Sequence, residues 1–176
     1  MRIQVVAYER TTRAWRHDFE AEAKRIARAL GNFVVYLHHI GSTATPGIFA
    51  KPIINILLEV DEIFKLDHRS ATMENLAYKP MGEYGIPGRR YFHKENASGI
   101  RTHQVHAFNA KSDNIERHLA FRHYMIAHPA EAQTYRTKAK ARELPNDIKA
   151  YMDGKDPYIK EYEDKANAWR LSHTAK

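Results

Sequence analysis

Cysteine is missing from this 176-residue chain. Without it, the protein has neither a disulfide framework nor a thiolate nucleophile. Long apolar runs are missing too, since none approaches the roughly 20 residues that a membrane-spanning helix needs. The apolar stretch at residues 3–7 is too short for a signal-peptide core. We therefore expect a soluble, cytoplasmic protein that has no membrane partner.

Several common catalytic signatures are also missing. The sequence has no HExxH, no Gly-x-Ser-x-Gly, no Walker loop and no dinucleotide-binding fingerprint. The 11 histidines are scattered rather than grouped at metal-ligand spacing. These absences argue against a zinc hydrolase.

Positive charge is in excess, with a formal net charge of +7 and a pI near 9.5. Such a balance favours anionic partners, namely nucleotides, nucleic acid or phosphorylated metabolites. Many of the basic residues alternate with acids in the second half of the chain, as they do on ordinary solvated helix faces. No familiar nucleic-acid recognition motif is present. Nucleic acid is therefore not the expected partner, and a nucleic-acid-binding module remains the lesser alternative.

Apolar periodicity predicts an α+β order. Strands are expected at residues 33–37, 53–60 and 103–108, and helices at about 11–30 and 61–77. Gly31 stands where the first helix should stop. The glycine-rich and proline-rich residues 78–93 are typical of a hairpin or an ordered loop. We predict a single domain over 1–176, with a sheet-containing core at 1–110 and a helical part at 111–176 packed on it.

The helical part is divided by its prolines. A helix should follow Ser112, where Asp113 and Glu116 resemble a capping box. Pro129 ends that helix and begins the next, and Pro145 divides the chain again. The last helix opens at Asp156-Pro157, with an apolar stripe that indicates core packing.

The segment from His39 to Val60 is the most informative part of the sequence. It places a Gly41-Ser42 pair between two predicted strands. Glycine lets a ligand approach the backbone, and serine adds a hydroxyl beside free backbone N–H groups. This arrangement predicts a phosphate-binding turn.

The same segment carries a family resemblance. Residues 39–55 read H-I-G-S-T-A-T-P-G-I-F-A-K-P-I-I-N, and downstream matches follow at 85–92, 101–106, 118–122 and 128–129. This pattern resembles the GrpB-like family, which is placed in the nucleotidyltransferase superfamily typified by DNA polymerase beta. The resemblance runs from about Tyr8 to Trp169. It implies a nucleotidyltransferase-like mixed sheet in the N-terminal two-thirds, flanked by helices, with a helical C-terminal third.

The resemblance also implies an activity. In this superfamily an attacking oxygen displaces pyrophosphate from a nucleoside triphosphate, while Mg²⁺ held by strand carboxylates clamps the phosphates. We therefore expect transfer of a nucleoside monophosphate to an unidentified small-molecule acceptor. The candidate nucleotide and phosphate ligands are His39, Gly41, Ser42, Lys51, Arg89, Arg90 and Arg122.

One departure from the family pattern bears on catalysis. The expected metal-ligating aspartate is Asn55 here, and an amide oxygen brings no negative charge to a dication. Glu59 lies on the same strand face but roughly 13 Å further along, which predicts a rim or surface residue. Asn55 therefore stands as a weak metal and catalytic candidate. The alternative function is a nucleotide-binding or regulatory protein that has lost transfer chemistry.

His106 is the second catalytic candidate. Strand alternation puts Gln104, His106 and Phe108 on one face and His103 on the other, so only one histidine of the pair can face the site. Gln104 stands where the family pattern usually has histidine, and His123 where it usually has aspartate. A hydrogen-bonded structural histidine is an equal alternative for His106.

The candidate cations have structural alternatives as well. Arg89 and Arg90 could fork onto phosphate oxygens, but in an extended segment their side chains diverge, so one should serve structure. Lys51 either reaches a phosphate or only borders the second strand. Arg122 either borders a polar cavity or forms an ion pair with Glu59, Asp61 or Asp113. It belongs to a helix stripe formed by Ile115, His118, Leu119, Arg122 and Ile126.

Overall fold

A computed structural model describes residues 11–47, 50–142 and 157–174. Five strands form one sheet in the order β1-β2-β5-β4-β3. The strands are β1 (Val34–Ile40), β2 (Ile54–Val60), β3 (Tyr78–Pro80), β4 (Arg90–Glu95) and β5 (Arg101–Asn109). The helices are α1 (Thr11–Leu30), α2 (Ile63–Asp67), α3 (Ser70–Asn75), α4 (Asp113–Ala127), α5 (Pro129–Arg142) and α6 (Pro157–Thr174). The predicted α+β class is confirmed.

The sheet is mixed. The central strands β2 and β5 are parallel, and Ile54 lies opposite His103 at one end of the pair. The other neighbouring strands pair in the antiparallel sense. Because side chains alternate along a strand, the register assigns every strand residue to one of two faces.

The first face, called the α1 face here, carries the larger core. Ile54, Ile56, Leu58 and Val60 of β2 are all buried and pack against α1, α2 and α3. The apolar period of α1 supplies Trp15, Ile26 and Leu30 to this core. A buried Glu22 carboxylate of α1 accepts a hydrogen bond from Lys94 Nζ at 2.8 Å. That ion pair joins α1 to β4.

The second face, called the α4 face, carries Asn55, Leu57 and Glu59 of β2. Its apolar cluster joins Ile40, Leu57, Phe108 and Ile115 of α4. Helix α4 also packs on α6, where Tyr162 and Ala166 are buried against Tyr124. The α6 stripe is therefore core, as its periodicity predicts.

Most predicted elements agree with the structure, and three details differ. β1 continues to Ile40 rather than ending at 37, because its pairing with β2 extends to Asn55. The single helix predicted over 61–77 is wrong, since α2 and α3 are separate short helices and Ala77 has a positive φ of 68°. The cap of α4 is Ser112 rather than Asp113, with no side-chain capping bond. Pro145 and Asp156 lie outside the described residues.

Two side-chain predictions are also corrected. Glu59 is not a rim residue: it is 7% exposed, and its carboxylate Oε1 lies 2.6 Å from His38 Nε2. The neighbouring strand β1 supplies that partner, so burial of the charge is compensated. In the α4 stripe, Ile126 is 46% exposed and does not belong to the core.

None of the helices in the described ranges is both long enough and apolar enough to cross a membrane.

Candidate functional site

The Gly41-Ser42 pair forms a tight bend at the end of β1. Gly41 has φ 76° and ψ −167°, a backbone region that is essentially reserved for glycine. A 3₁₀ turn over Ser42–Ala44 follows. Within it the amides of Ala44 and Thr45 donate to the carbonyls of Gly41 and Ser42. These two amides are therefore committed to the turn itself.

Unlike the amides of Ala44 and Thr45, the amides of Ser42 and Thr43 are not used within the turn. No acceptor in the part of the chain that the structure describes takes a hydrogen bond from either amide, nor from the Ser42 hydroxyl. The first N–H groups of a helical turn have no internal partner and are suited to hold an anion. The predicted phosphate-binding bend thus retains two donors of its own backbone.

Asn55 lies directly against this bend. A Cβ atom placed on Gly41 would be 3.1 Å from Asn55 Nδ2. Asn55 Nδ2 also donates to the carbonyl of Ile53 at 3.4 Å, which turns the amide oxygen Oδ1 the other way. The missing side chain at position 41 therefore makes room for the side chain at position 55.

The donor set at Asn55 does not fit a magnesium ion well. Asn55 contributes one neutral oxygen, and Glu59 is engaged by His38. Among residues 11–47, 50–142 and 157–174, no group of three His, Cys, Asp or Glu side chains could hold a metal ion. Mg²⁺ is usually bound through one or two carboxylates together with substrate phosphates. The protein's side chains thus offer little for this cation at position 55.

His39 is fixed beside the bend in its neutral form. Its Nε2 lies 2.9 Å from Thr43 Oγ1, and the Thr43 hydroxyl donates to the Ile53 carbonyl. Because that hydroxyl proton is already committed, His39 Nε2–H is the donor to Thr43. The ring stacks on Phe19 at 4.8 Å. Burial lowers the pKa of His39 to about 4, with a smaller contribution from Arg122.

Arg122 reaches the same end of β1 from α4. Its Nη1 donates to the His39 carbonyl at 3.1 Å, and its Nη2 lies 2.8 Å from His123 Nε2. These contacts replace the predicted alternative of an ion pair with Glu59, Asp61 or Asp113. The buried Nε has no hydrogen-bond partner among the described residues, and burial lowers the pKa of the guanidinium. Lys51 lies two residues before Ile53 and is partly buried.

His106 lies deeper on the α4 face, in a layer with Arg89 and His118. Its register partner is Leu57, so the predicted facing of His106 toward the Asn55 side of the sheet is confirmed. Arg89 Nη1 lies 3.4 Å from His106 Nδ1, and an arginine can only donate, so His106 keeps its proton on Nε2. Burial, together with His118, Arg89 and Arg117, holds the pKa of His106 well below its usual range. A catalytic role for this neutral imidazole stays a prediction.

The two adjacent arginines point to opposite faces of the sheet. Arg89 is 6% exposed on the α4 face, where it also donates to the carbonyls of Glu83 and Tyr84. Arg90 lies on the α1 face, where Nε and Nη2 bind both carboxylate oxygens of Asp67 at 2.5 and 2.9 Å. This ion pair lowers the pKa of Asp67. The structure therefore places Arg90 on the opposite face from Arg89 and commits its guanidinium to Asp67.

Two further histidines of this face were not identified as site residues from the sequence. His118 Nδ1 donates to the Asn114 carbonyl at 2.6 Å, and its ring lies 6.0 Å from that of His106. His93 of β4 lies opposite Gln104, which in turn lies opposite Asn55. The α4 stripe had indicated His118. His93 lies at the end of the segment predicted as a hairpin or an ordered loop, and only the register of β4 on β5 reveals its place.

The chain resembles one protein family over most of its length. The family model described as GrpB protein matches residues 2–165. The chain belongs to the GrpB family. A crystal structure of the conserved protein GrpB from Enterococcus faecalis is 40% identical, has a TM-score of 0.80 and covers 94% of this chain and 99% of its own. The family predicted from the His39–Asn55 pattern is confirmed.

Curated relatives carry family names without a stated activity. The UPF0157 protein YqkA of Bacillus subtilis is 39% identical over 96% of this chain and 48% of its own length. The UPF0157 protein PA4798 of Pseudomonas aeruginosa is 38% identical over 83% of this chain and 61% of its own length. The chain thus spans about half to three-fifths of these relatives.

Nucleotidyltransferases also occur among the solved structures with a weaker likeness. The RNA terminal uridylyl transferase Cid1 is 10% identical over 66% of this chain and 35% of its own, with a TM-score of 0.45. At this level the likeness carries no argument about activity.

Proposed function

We propose that this GrpB-family protein binds a nucleoside triphosphate at the Gly41-Ser42 bend and holds it without metal-dependent transfer. The observation that carries the proposal is the amide of Asn55, packed against Gly41 at the position where the superfamily pattern calls for a metal-binding carboxylate. No negative charge at that position opposes an anion. The same substitution removes the charge that an Mg²⁺-dependent transferase needs.

Positive and hydrogen-bonding groups support an anionic ligand at the bend. The Ser42 amide, the Ser42 hydroxyl and the Thr43 amide face no acceptor among the described residues. Arg122 is anchored at the carbonyl of His39 and brings a permanent charge next to the bend. His39 contributes no charge because its pKa is about 4. Backbone N–H groups and one guanidinium are thus the proposed phosphate ligands.

Nucleotidyl transfer to a small-molecule acceptor with Mg²⁺ is the second candidate. It is favoured by the placement of position 55, which lies beside the bend where a metal would meet the phosphates. For this function, phosphate oxygens of the nucleotide would have to complete the metal site.

Isothermal titration with ATP, CTP, GTP and UTP separates the two functions. We expect the wild-type protein to bind a triphosphate equally well with Mg²⁺ and with EDTA. Ser42→Ala should weaken binding about tenfold, which corresponds to the loss of one hydrogen bond to a charged group. Ser172→Ala in α6 is the control and should bind normally. Binding that requires Mg²⁺ would favour transfer, and no binding would refute both functions.

Asn55→Asp gives the sharper test. Aspartate cannot donate to the Ile53 carbonyl, so without metal the variant should lose about 1–3 kcal/mol of unfolding free energy. With Mg²⁺ and nucleotide it should recover stability and bind the nucleotide several-fold more tightly than without the metal. If Mg²⁺ changes neither its melting temperature nor its nucleotide affinity, position 55 is not next to the phosphates.

A further inference from the structure

His93 is a buried histidine of β4. The residue is 7% exposed, and its Nδ1 is buried without a hydrogen-bond partner in the part of the chain that the structure describes. An unpaired polar atom at such depth costs free energy that an apolar side chain would save. The position therefore calls for an explanation other than packing.

The protonation of the ring follows from its neighbours. His93 Nε2 lies 3.4 Å from Glu95 Oε1, and the hydrogen bond from Lys79 lowers the pKa of Glu95 and keeps it charged. A carboxylate beside Nε2 favours the proton on that nitrogen. Burial and the nearby Arg101 lower the pKa of His93, so the ring is neutral. Nδ1 is then a bare acceptor that requires an N–H or O–H donor.

The register places His93 on the α4 face in line with the bend. Gln104 pairs with Asn55 on one side and with His93 on the other. Residues directly opposite in an antiparallel pair have Cβ atoms about 5 Å apart. Gln104 is partly buried, and its amide has no hydrogen-bond partner among the described residues. The buried Nδ1 of His93 and the partly buried amide of Gln104 therefore lie side by side on this face.

The spacing along this row matches the length of a nucleotide. Two strand separations of about 4.8 Å put His93 roughly 10 Å across the sheet from Asn55. A nucleoside triphosphate held by its phosphate tail at Gly41-Ser42 would extend its sugar and base over a similar distance. Those parts carry the N–H and O–H donors that the phosphate tail lacks.

We propose that His93 and Gln104 form the nucleoside-binding end of the site, with His93 Nδ1 accepting a hydrogen bond from an N–H or O–H group of the ligand. This inference rests on the proposed nucleotide binding at the bend. It assigns the two residues a role in recognising the uncharged part of the ligand.

Titration of ATP and of inorganic tripolyphosphate into wild type, His93→Phe and Gln104→Ala tests the proposal. Phenylalanine keeps the ring but has no nitrogen, and Gln104→Ala provides a second variant at a more exposed position. Both variants should bind ATP about tenfold more weakly and bind tripolyphosphate as wild type does. Urea unfolding should show His93→Phe to be at least as stable as wild type, because the unsatisfied nitrogen is gone.

Two ATP analogues identify which part of the ligand donates the hydrogen bond to His93 Nδ1. If the ribose donates, 2′,3′-dideoxy-ATP should bind wild type and His93→Phe equally. If the base donates, purine riboside triphosphate, which lacks the exocyclic amine, should be the analogue that binds wild type and His93→Phe equally. ATP affinity that neither variant changes would overturn the inference and leave the proposed function standing. A wild-type protein that binds neither ATP nor tripolyphosphate would overturn both.

Discussion

Replacing Gly41 with alanine should destabilise the protein through two separate contacts. At φ 76° and ψ −167° a side chain costs about 1–3 kcal/mol of backbone strain. The added Cβ would also stand 3.1 Å from Asn55 Nδ2, so the amide must move and lose its bond to the Ile53 carbonyl. That loss adds about 1 kcal/mol. We therefore expect Gly41→Ala to lower the free energy of unfolding by about 2–4 kcal/mol.

Urea unfolding followed by circular dichroism measures this change, provided that the m-value is unaltered. Gly31→Ala is the matched control. Gly31 has φ 61° with nothing within 4 Å of an added Cβ, so it should cost only the 1–2 kcal/mol of a left-handed residue. Combining Gly41→Ala with Asn55→Ala should recover part of the loss, because the crowded amide is removed. Equal costs at positions 31 and 41, with no recovery in the double variant, would refute the packing of Asn55 on the bend.

Two further predictions concern charge. Arg90→Met should leave nucleotide affinity unchanged, because Arg90 lies on the α1 face and binds Asp67. A double-mutant cycle with Asp67→Asn should give a coupling energy of about 0.5–1 kcal/mol. Weakened nucleotide binding in Arg90→Met would contradict this placement. Burial lowers the pKa of His118 to about 4, so between pH 6.5 and 4 the unfolded chain binds the extra proton. Stability should therefore fall as the pH drops through this window, by at most about 3 kcal/mol for this residue. Urea midpoints at pH 7, 6 and 5 should show a shallower decline in His118→Asn, and identical declines would argue against a buried neutral His118.

Periodicity predicts the elements of this fold well where one face of an element is buried. The stripe of α1 and the apolar run of β2 each point to a single core, and both elements form where expected. The segment at 61–77 also has an apolar period, but its buried residues Leu66 and Met73 belong to two short helices. The apolar period alone does not show where one helix ends and the next begins.

In the candidate site, features within one segment of the chain could be predicted from the sequence, whereas contacts between distant segments could not. The bend at Gly41 and the adjacent Asn55 could be found from the sequence, because they are close in the chain and follow a family pattern. The divergence of Arg89 and Arg90 follows from strand alternation alone. The burial of Glu59 requires His38 from the neighbouring strand, and the position of His93 requires the register of β4 on β5. Such pairings between distant segments could not be predicted from the sequence alone.

The parallel pairing of β2 with β5 sets the order in which this protein can assemble. The centre of the sheet forms only when β2 pairs with β5, for example at Ile54 and His103. The core cluster that contains α1 residues also includes Val105 and Ala107 of β5. Closing such a long loop is slow compared with forming a helix or a hairpin. During synthesis the first helix can therefore pack on β1 and β2 as soon as they emerge, but the core that it shares with Val105 and Ala107 is complete only after the fifth strand has left the ribosome.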